Sequence, residues 1–241
     1  MDNDLEKHIK SVNRKPKIRT FAVSITKKKN DMENQKIVIT INREAGSGGK
    51  EIALKLGELL GFKVYGKEIL ASILDKYHLS EEQVEKIKAE RPNWWSEFCR
   101  FYKQFGTTAA IAYETFEVNS KQLYYEESRI LRNLAEQESC IIVGRTGFHI
   151  FKDNPNAIRI FLIARPEARI ARLMKKQGID EKKAREIMER LDKARENYTQ
   201  AFAEVSRYDA RNYDIVLNVS PFTTDQIAQF LAENIRRKYK I

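Results

Sequence analysis

The chain has 241 residues, a net charge of +10 and 42% apolar residues. That suits one large folded domain, or a core with a small insert, and excludes a wholly disordered chain. No apolar run reaches the roughly 18 residues of a membrane-spanning helix, so no membrane contact is expected. Cys99 and Cys140 make no disulfide framework, no Cys/His cluster has zinc spacing and no secretory signal opens the chain, so a reducing cytoplasm is the expected compartment. The surplus of cations points to an anionic partner.

Residues 1–35 carry nine Lys/Arg against five Asp/Glu. They read as a basic, flexible arm, with one short strand at Phe21–Ile25. The folded domain is expected over 36–241. Lys36–Ile41 is a β-branched apolar run without polar alternation, the pattern of a strand buried on both faces in a parallel sheet. The loop Asn42–Gly49 follows. Lys50–Leu60 then reads as a helix with Ile52, Leu56, Leu59 and Leu60 inward and Gly61 as its stop. The stretch from about 66 to 138 is rich in helical patterns and aromatics. Ser80-Glu81-Glu82 looks like a helix start, Pro92 breaks the pattern, and Gln122–Glu136 is another helix. Strands are predicted at Cys140–Val143, Ile158–Ile163 and Asp214–Val219. Helices are predicted at Pro166–Gln177, Lys182–Phe202 and Thr224–Arg237. Strand alternating with helix predicts a three-layer α/β fold with a mostly parallel sheet.

Gly46, Gly48 and Gly49 end the first strand and open the first helix. Glycine lets the backbone take positive φ and approach a ligand with no Cβ in the way. Loop amides and a helix N-terminus aimed at one point make an anion site, and Lys50 adds a positive charge beside it. This is the logic of the phosphate-binding loop G-x-x-x-x-G-K-[ST], with two departures. Glu44 stands at the first glycine, and Glu51 stands at the Ser/Thr that holds Mg²⁺. A plain tight turn without a ligand is the alternative.

The run Ile39-Thr40-Ile41-Asn42-Arg43-Glu44-Ala45-Gly46-Ser47-Gly48-Gly49-Lys50-Glu51-Ile52-Ala53 closely resembles the opening of the cytidylate kinase-like proteins, relatives of the bacterial cytidylate kinases. Val64-Tyr65-Gly66-Lys67-Glu68-Ile69-Leu70, Ile142-Val143-Gly144-Arg145 and Asp192-Lys193-Ala194-Arg195-Glu196-Asn197-Tyr198 resemble that family's later motifs, in the same order. The resemblance covers about residues 36–235. It implies a P-loop kinase fold with a five-stranded parallel sheet, a helical NMP-binding insert around 66–138 and a lid around 178–212. It also implies transfer of the ATP γ-phosphoryl group to a nucleoside monophosphate, with CMP or dCMP as the first expectation and ATP and Mg²⁺ as cofactors. Gly66 and Thr146 stand where relatives carry Asp, which leaves the acceptor base open.

Phosphoryl transfer needs positioning, charge neutralisation and exclusion of water more than covalent chemistry. Arginine suits this, because its planar guanidinium pairs two phosphate oxygens at once. Arg145, just past a strand end, is the candidate grip on the acceptor's phosphate. Within 165–211, which hold thirteen Lys/Arg and nine Asp/Glu, most charges read as a solvated helix face. Arg190, Asp192 and Arg195 stand apart. Asp192 and Arg195 are i, i+3 neighbours, so Asp192 can orient Arg195, and Arg195 with Arg190 can reach the transferring group when a lid closes.

The expected catalytic set is therefore Lys50, Arg145, Arg190, Asp192 and Arg195. The expected nucleotide-binding set is Arg43, Gly46, Ser47, Gly48, Gly49, Lys50 and Glu51. The metal ligands are left open. One or two of Trp94, Trp95, Phe98, Phe101, Tyr102 and Phe105 are candidates to stack on a base. Cys140 reads as a small core hydrophobe. The expected partner is a small-molecule nucleotide acceptor. No helix-turn-helix, zinc-finger or RNA-binding aromatic signature is present, so nucleic acid is not the expected partner. A nucleotide-binding protein without catalysis, and a P-loop kinase for another small acceptor, are the alternatives. The oligomeric state is left open.

Overall fold

The computed structural model describes residues 36–66 and 120–241. The basic arm 1–35, the strand at Phe21–Ile25, the helix start at Ser80 and the aromatics Trp94 to Phe105 lie outside the described residues, as does most of the expected insert. In chain order the described elements are β1 (Val38–Arg43), α1 (Gly49–Leu60), β2 (Lys63–Tyr65), α2 (Ser120–Gln137) and β3 (Cys140–Val143). Then come α3 (Gly147–Ile150), β4 (Ala157–Ile163), α4 (Pro166–Gln177), α5 (Glu181–Ala203), β5 (Ile215–Asn218) and α6 (Thr224–Tyr239).

The strands form one five-stranded sheet in the order β2-β3-β1-β4-β5, and every pairing is parallel. β1 lies at the centre, with Ile39 level with Ile141 on one side and Ile158 on the other. Both of its faces are covered, which is why its residues read as an unbroken apolar run rather than an alternation. Strand period still sorts the side chains. Ile37, Ile39 and Ile41 of one face, with Ile158, Ile160 and Leu162, pack on Ile52 and Leu56 of α1 and Ile227 and Leu231 of α6. Phe161 points the other way and packs with Phe148 of α3 and Tyr213. Helices on both faces of a parallel sheet give the three expected layers.

The differences from expectation are local. β1 continues two residues into the expected loop, because Asn42 and Arg43 pair with Phe161 and Leu162 of β4. This carries both side chains to the carboxyl edge of the sheet. Leu59 is 38% exposed, because Leu60 takes the inward place one turn after Leu56. The three-residue β2 and four-residue α3 are too short for a periodic signal. Cys140 is fully buried, as expected, and burial pushes its thiol pKa up to about 12. Among the described residues no helix is long and apolar enough to cross a membrane.

Candidate active site

The glycine loop turns out of β1 at the sheet's carboxyl edge. Gly46 has φ +76°, and a Cβ there would stand 2.6 Å from the carbonyl oxygen of Arg169. Only glycine fits that approach. Gly48, at φ +82°, is the N-cap of α1. Ser47 closes the turn, its backbone N–H and its hydroxyl both donating to the Glu44 carbonyl at 3.3 and 2.9 Å. Arg172 donates to the Gly46 carbonyl at 2.9 Å. The first-turn N–H groups of α1 have no acceptor within their own helix, which leaves them available to an anion, and Lys50 lies in the same turn.

Behind the loop lies a buried charge network. Arg169 of α4, 6% exposed, donates from Nε to the Ala45 carbonyl at 2.7 Å and from Nη2 to Asp192. Its Nη1 is 3.3 Å from the Glu44 carboxylate. Asp192 of α5 accepts from the Ala45 N–H at 2.8 Å. Glu44 also accepts from the Ala164 N–H at 2.8 Å, at the head of α4. Both sides of the Ala45 peptide are thus clamped, one by α4 and one by α5.

A cleft of about 110 Å³ opens in front of the loop. Arg43, Lys50, Arg145, Arg195 and Arg207 line it, and no carboxylate does among the described residues. Arg195 Nη1 donates to the Arg43 carbonyl at 3.2 Å, and Arg207 Nη2 donates to the same oxygen. Arg207 is 1% exposed and lies over the Phe161 and Tyr208 rings at 5.7 and 5.2 Å. Burial, then the nearby Arg195 charge, lower its pKa. Its backbone carbonyl accepts from the Tyr213 hydroxyl at 2.7 Å, and that hydroxyl accepts from Asn42 at 2.7 Å. Across the cleft, Gly144, Arg145 and Thr146 take φ of +78°, +57° and +49°. The left-handed region costs a non-glycine residue about 1–2 kcal/mol. Arg145 takes that conformation just past the end of β3. Its Nε is 3.1 Å from the carboxylate of Glu127 on α2.

Of the expected residues, Arg43, Lys50, Arg145 and Arg195 meet in this cleft. Gly46, Ser47, Gly48 and Gly49 shape the loop beside it. Asp192 does lie 3.5 Å from Arg195, but its carboxylate faces the back of the loop. It therefore ties α5 to the loop beside Arg195. Arg190 pairs with Glu186 of its own helix at 3.7 Å and does not line the cleft. Glu51 is exposed, accepts from the Thr224 hydroxyl at 3.3 Å and lies 4.0 Å from Lys55. Arg169, Arg207 and Glu127 were not singled out by sequence. The first two sit in the charge-rich stretch 165–211, where nothing separates buried arginines from solvated ones before the fold is known. Among the described residues no group of three or more His, Cys, Asp or Glu is placed to hold a metal.

A 2-3-1-4-5 parallel sheet, with a glycine loop leading from its central strand into a helix, defines a P-loop kinase fold. The sequence matches the cytidylate kinase-like family over residues 38–221, and the chain belongs to that family. It is 23% identical over 202 residues to a cytidylate kinase of Thermoplasma acidophilum, covering 82% of this chain and 91% of that one. It is 24% identical over 204 residues to a cytidylate kinase of Methanopyrus kandleri, covering 81% and 91%. Among solved structures, an uncharacterized protein from Eubacterium ventriosum is 26% identical with a TM-score of 0.63, covering 84% of this chain and 99% of that one.

Proposed function

We propose that the chain transfers the γ-phosphoryl group of ATP to the phosphate of a nucleoside monophosphate, CMP or dCMP in the first instance. The observation that carries this is the cleft wall, with five cationic side chains and, among the described residues, no carboxylate facing one space beside the glycine loop. Two phosphorylated substrates brought tip to tip present this concentration of negative charge.

The acceptor's phosphate is mostly dianionic at neutral pH, so its oxygen can attack the γ-phosphorus without a base. The new P–O bond forms as the bond to ADP breaks, in line. The loop amides and Lys50 take the β- and γ-oxygens of ATP, Arg145 grips the acceptor's phosphate, and Arg195 neutralises the group in transit. Arg190 joins only if the lid moves. Mg²⁺ offsets phosphate charge; in this reading it comes on the nucleotide, since Glu51 faces Thr224 and no described carboxylate lines the cleft.

The test is ADP production from ATP and Mg²⁺ against CMP, dCMP, UMP, AMP, GMP and dTMP. Turnover with one or two acceptors is expected, falling about 10²- to 10³-fold in Lys50→Ala. Silence across the panel from folded protein refutes the reading. A nucleotide-binding protein without turnover is the second reading, favoured by Glu51 at the usual Ser/Thr position. It predicts ATP binding by calorimetry together with that silence.

A further inference from the structure

Glu127 is a buried carboxylate that phosphoryl transfer does not itself require. Its residue is 1% exposed. Desolvating a carboxylate costs several kcal/mol unless it is well paired. It lies on α2, which docks on the lid helix α5 through aromatic rings. Tyr124 stacks on Phe202 at 5.1 Å and meets Tyr198 edge-on at 6.4 Å. That docking places the Tyr198 hydroxyl 3.1 Å from Glu127 Oε2, to which it donates. The other carboxylate oxygen, Oε1, faces Arg145 Nε at 3.1 Å. One buried carboxylate therefore joins two cleft-lining residues, one on a strand end and one on the lid helix. Arg145 takes φ +57° at the end of β3, and the Glu127 carboxylate pairs with its guanidinium there.

We propose that Glu127 is a positioning residue: it holds Arg145 aimed into the cleft for the acceptor's phosphate and, through Tyr198, ties that aim to the lid helix. The proposal rests on the reading of Arg145 as the acceptor grip. Burial raises the Glu127 pKa, while Arg145 and the Tyr198 hydroxyl act to lower it. Burial is the larger influence, and the two partners that Glu127 touches oppose it. The contact is an ion pair at Nε, on a guanidinium whose planar fork can also pair phosphate oxygens.

The test uses the full chain with Glu127→Gln, Tyr198→Phe, Arg145→Ala and the Glu127→Gln/Arg145→Ala double variant. KM for ATP and for the acceptor that turns over is measured, and binding of inorganic phosphate is followed by calorimetry. In Glu127→Gln the acceptor KM and the phosphate Kd are expected to rise about 10- to 100-fold, since a buried ion pair to Arg145 is lost. The KM for ATP should stay level. The double variant should match Arg145→Ala alone, because Glu127 acts through Arg145. Tyr198→Phe, which removes one hydroxyl and leaves the ring packing, should raise the acceptor KM about 3- to 10-fold. It keeps the test open if Glu127→Gln does not fold.

If Arg145→Ala weakens the acceptor and phosphate while Glu127→Gln or Tyr198→Phe leaves both unchanged, the proposal is overturned and the reading of Arg145 stands. A parallel rise in both KM values, with a lowered Tm, also overturns it, since that is loss of structure. If Arg145→Ala changes neither KM nor phosphate binding, the reading of Arg145 fails and takes the proposal with it. A panel without turnover refutes the kinase reading alone, because phosphate binding still decides the pairing.

Discussion

Arg169→Met should be the most costly conservative-volume substitution near the loop. The side chain is 8% exposed and serves three acceptors: the Ala45 carbonyl, Asp192 and Glu44. Breaking a buried ion pair by removing one partner costs about 3–5 kcal/mol, because the other charge is left behind. Two carboxylates are left here, which argues for the upper end. Asp192 keeps partial compensation from Arg195 at 3.5 Å, Arg207 at 3.6 Å and the Ala45 N–H. Glu44 keeps the Ala164 N–H. These residual partners bring the expected loss to about 3 kcal/mol. In a chain of this size 1 kcal/mol moves Tm by about 2–4 °C. The expected shift is therefore about 6–12 °C downward, read by circular dichroism, with urea unfolding at an unchanged m-value as the check. The Ala45 carbonyl also loses its clamp, so ATP binding should weaken alongside. A Tm within 2 °C of the parent would refute the reasoning, since it would mean that the network contributes little net stability.

Gly46→Ala forces a Cβ to 2.6 Å from the Arg169 carbonyl at a φ of +76°, and should weaken ATP binding by calorimetry about tenfold or more. Gly61→Ala is the control: at φ +69° with nothing within 4 Å of its Cβ, it should cost about 1–2 kcal/mol of stability and leave ATP binding alone. Equal effects of the two on binding would count against a ligand at the loop. Cys140, buried in β3 with its thiol pKa pushed up to about 12, should resist iodoacetamide at pH 8 in the native chain and react fully in urea, as read by mass spectrometry. Rapid native labelling would show that β3 opens.

The sheet and its helices were legible because burial leaves a mark on sequence. Pro166 starts α4, Gly178 in the left-handed region stops it, and both ends fall where the sequence put them. The glycine loop was legible because no other residue type tolerates Gly46's approach to Arg169. Lys50, Arg145 and Arg195 carry their motif with them. Arg169 and Arg207 could not be separated from Lys175 or Arg185, since a sequence records the charge of an arginine but not whether the fold covers it. Glu127 was hidden for the opposite reason: a carboxylate within Tyr125-Glu126-Glu127 looks solvated until α2 is laid on α5. Asp192 lies 3.5 Å from Arg195, the i, i+3 neighbour that the spacing predicts. Its contact with the Ala45 N–H joins residues 147 apart in the chain, a pairing that no local pattern can reveal.

Glu44 is the sharpest departure from the strict phosphate-loop pattern, and its placement shows why it need not weaken the site. A glycine at that position leaves the loop's entry free of side chains. Here the Glu44 side chain is turned away from the cleft, toward the Ala164 N–H and Arg169, and it is absent from the cleft lining. Its charge is matched on the far side of the loop, so it does not oppose an incoming phosphate at close range. It also joins the head of α4 to the loop, which the Arg169 contacts with Ala45 then reinforce. The loop thus gains a side-chain scaffold where the strict pattern has bare backbone. The same scaffold explains why two arginines converge on the Arg43 carbonyl: with β1 extended through Arg43 and the next peptides clamped, that oxygen is a fixed point from which Arg195 and Arg207 are aimed. Glu44→Gly should therefore loosen the loop rather than restore it, lowering Tm by about 2–4 °C for each kcal/mol lost and weakening ATP binding; a Tm and an ATP affinity equal to or above the parent's would show that the scaffold is dispensable.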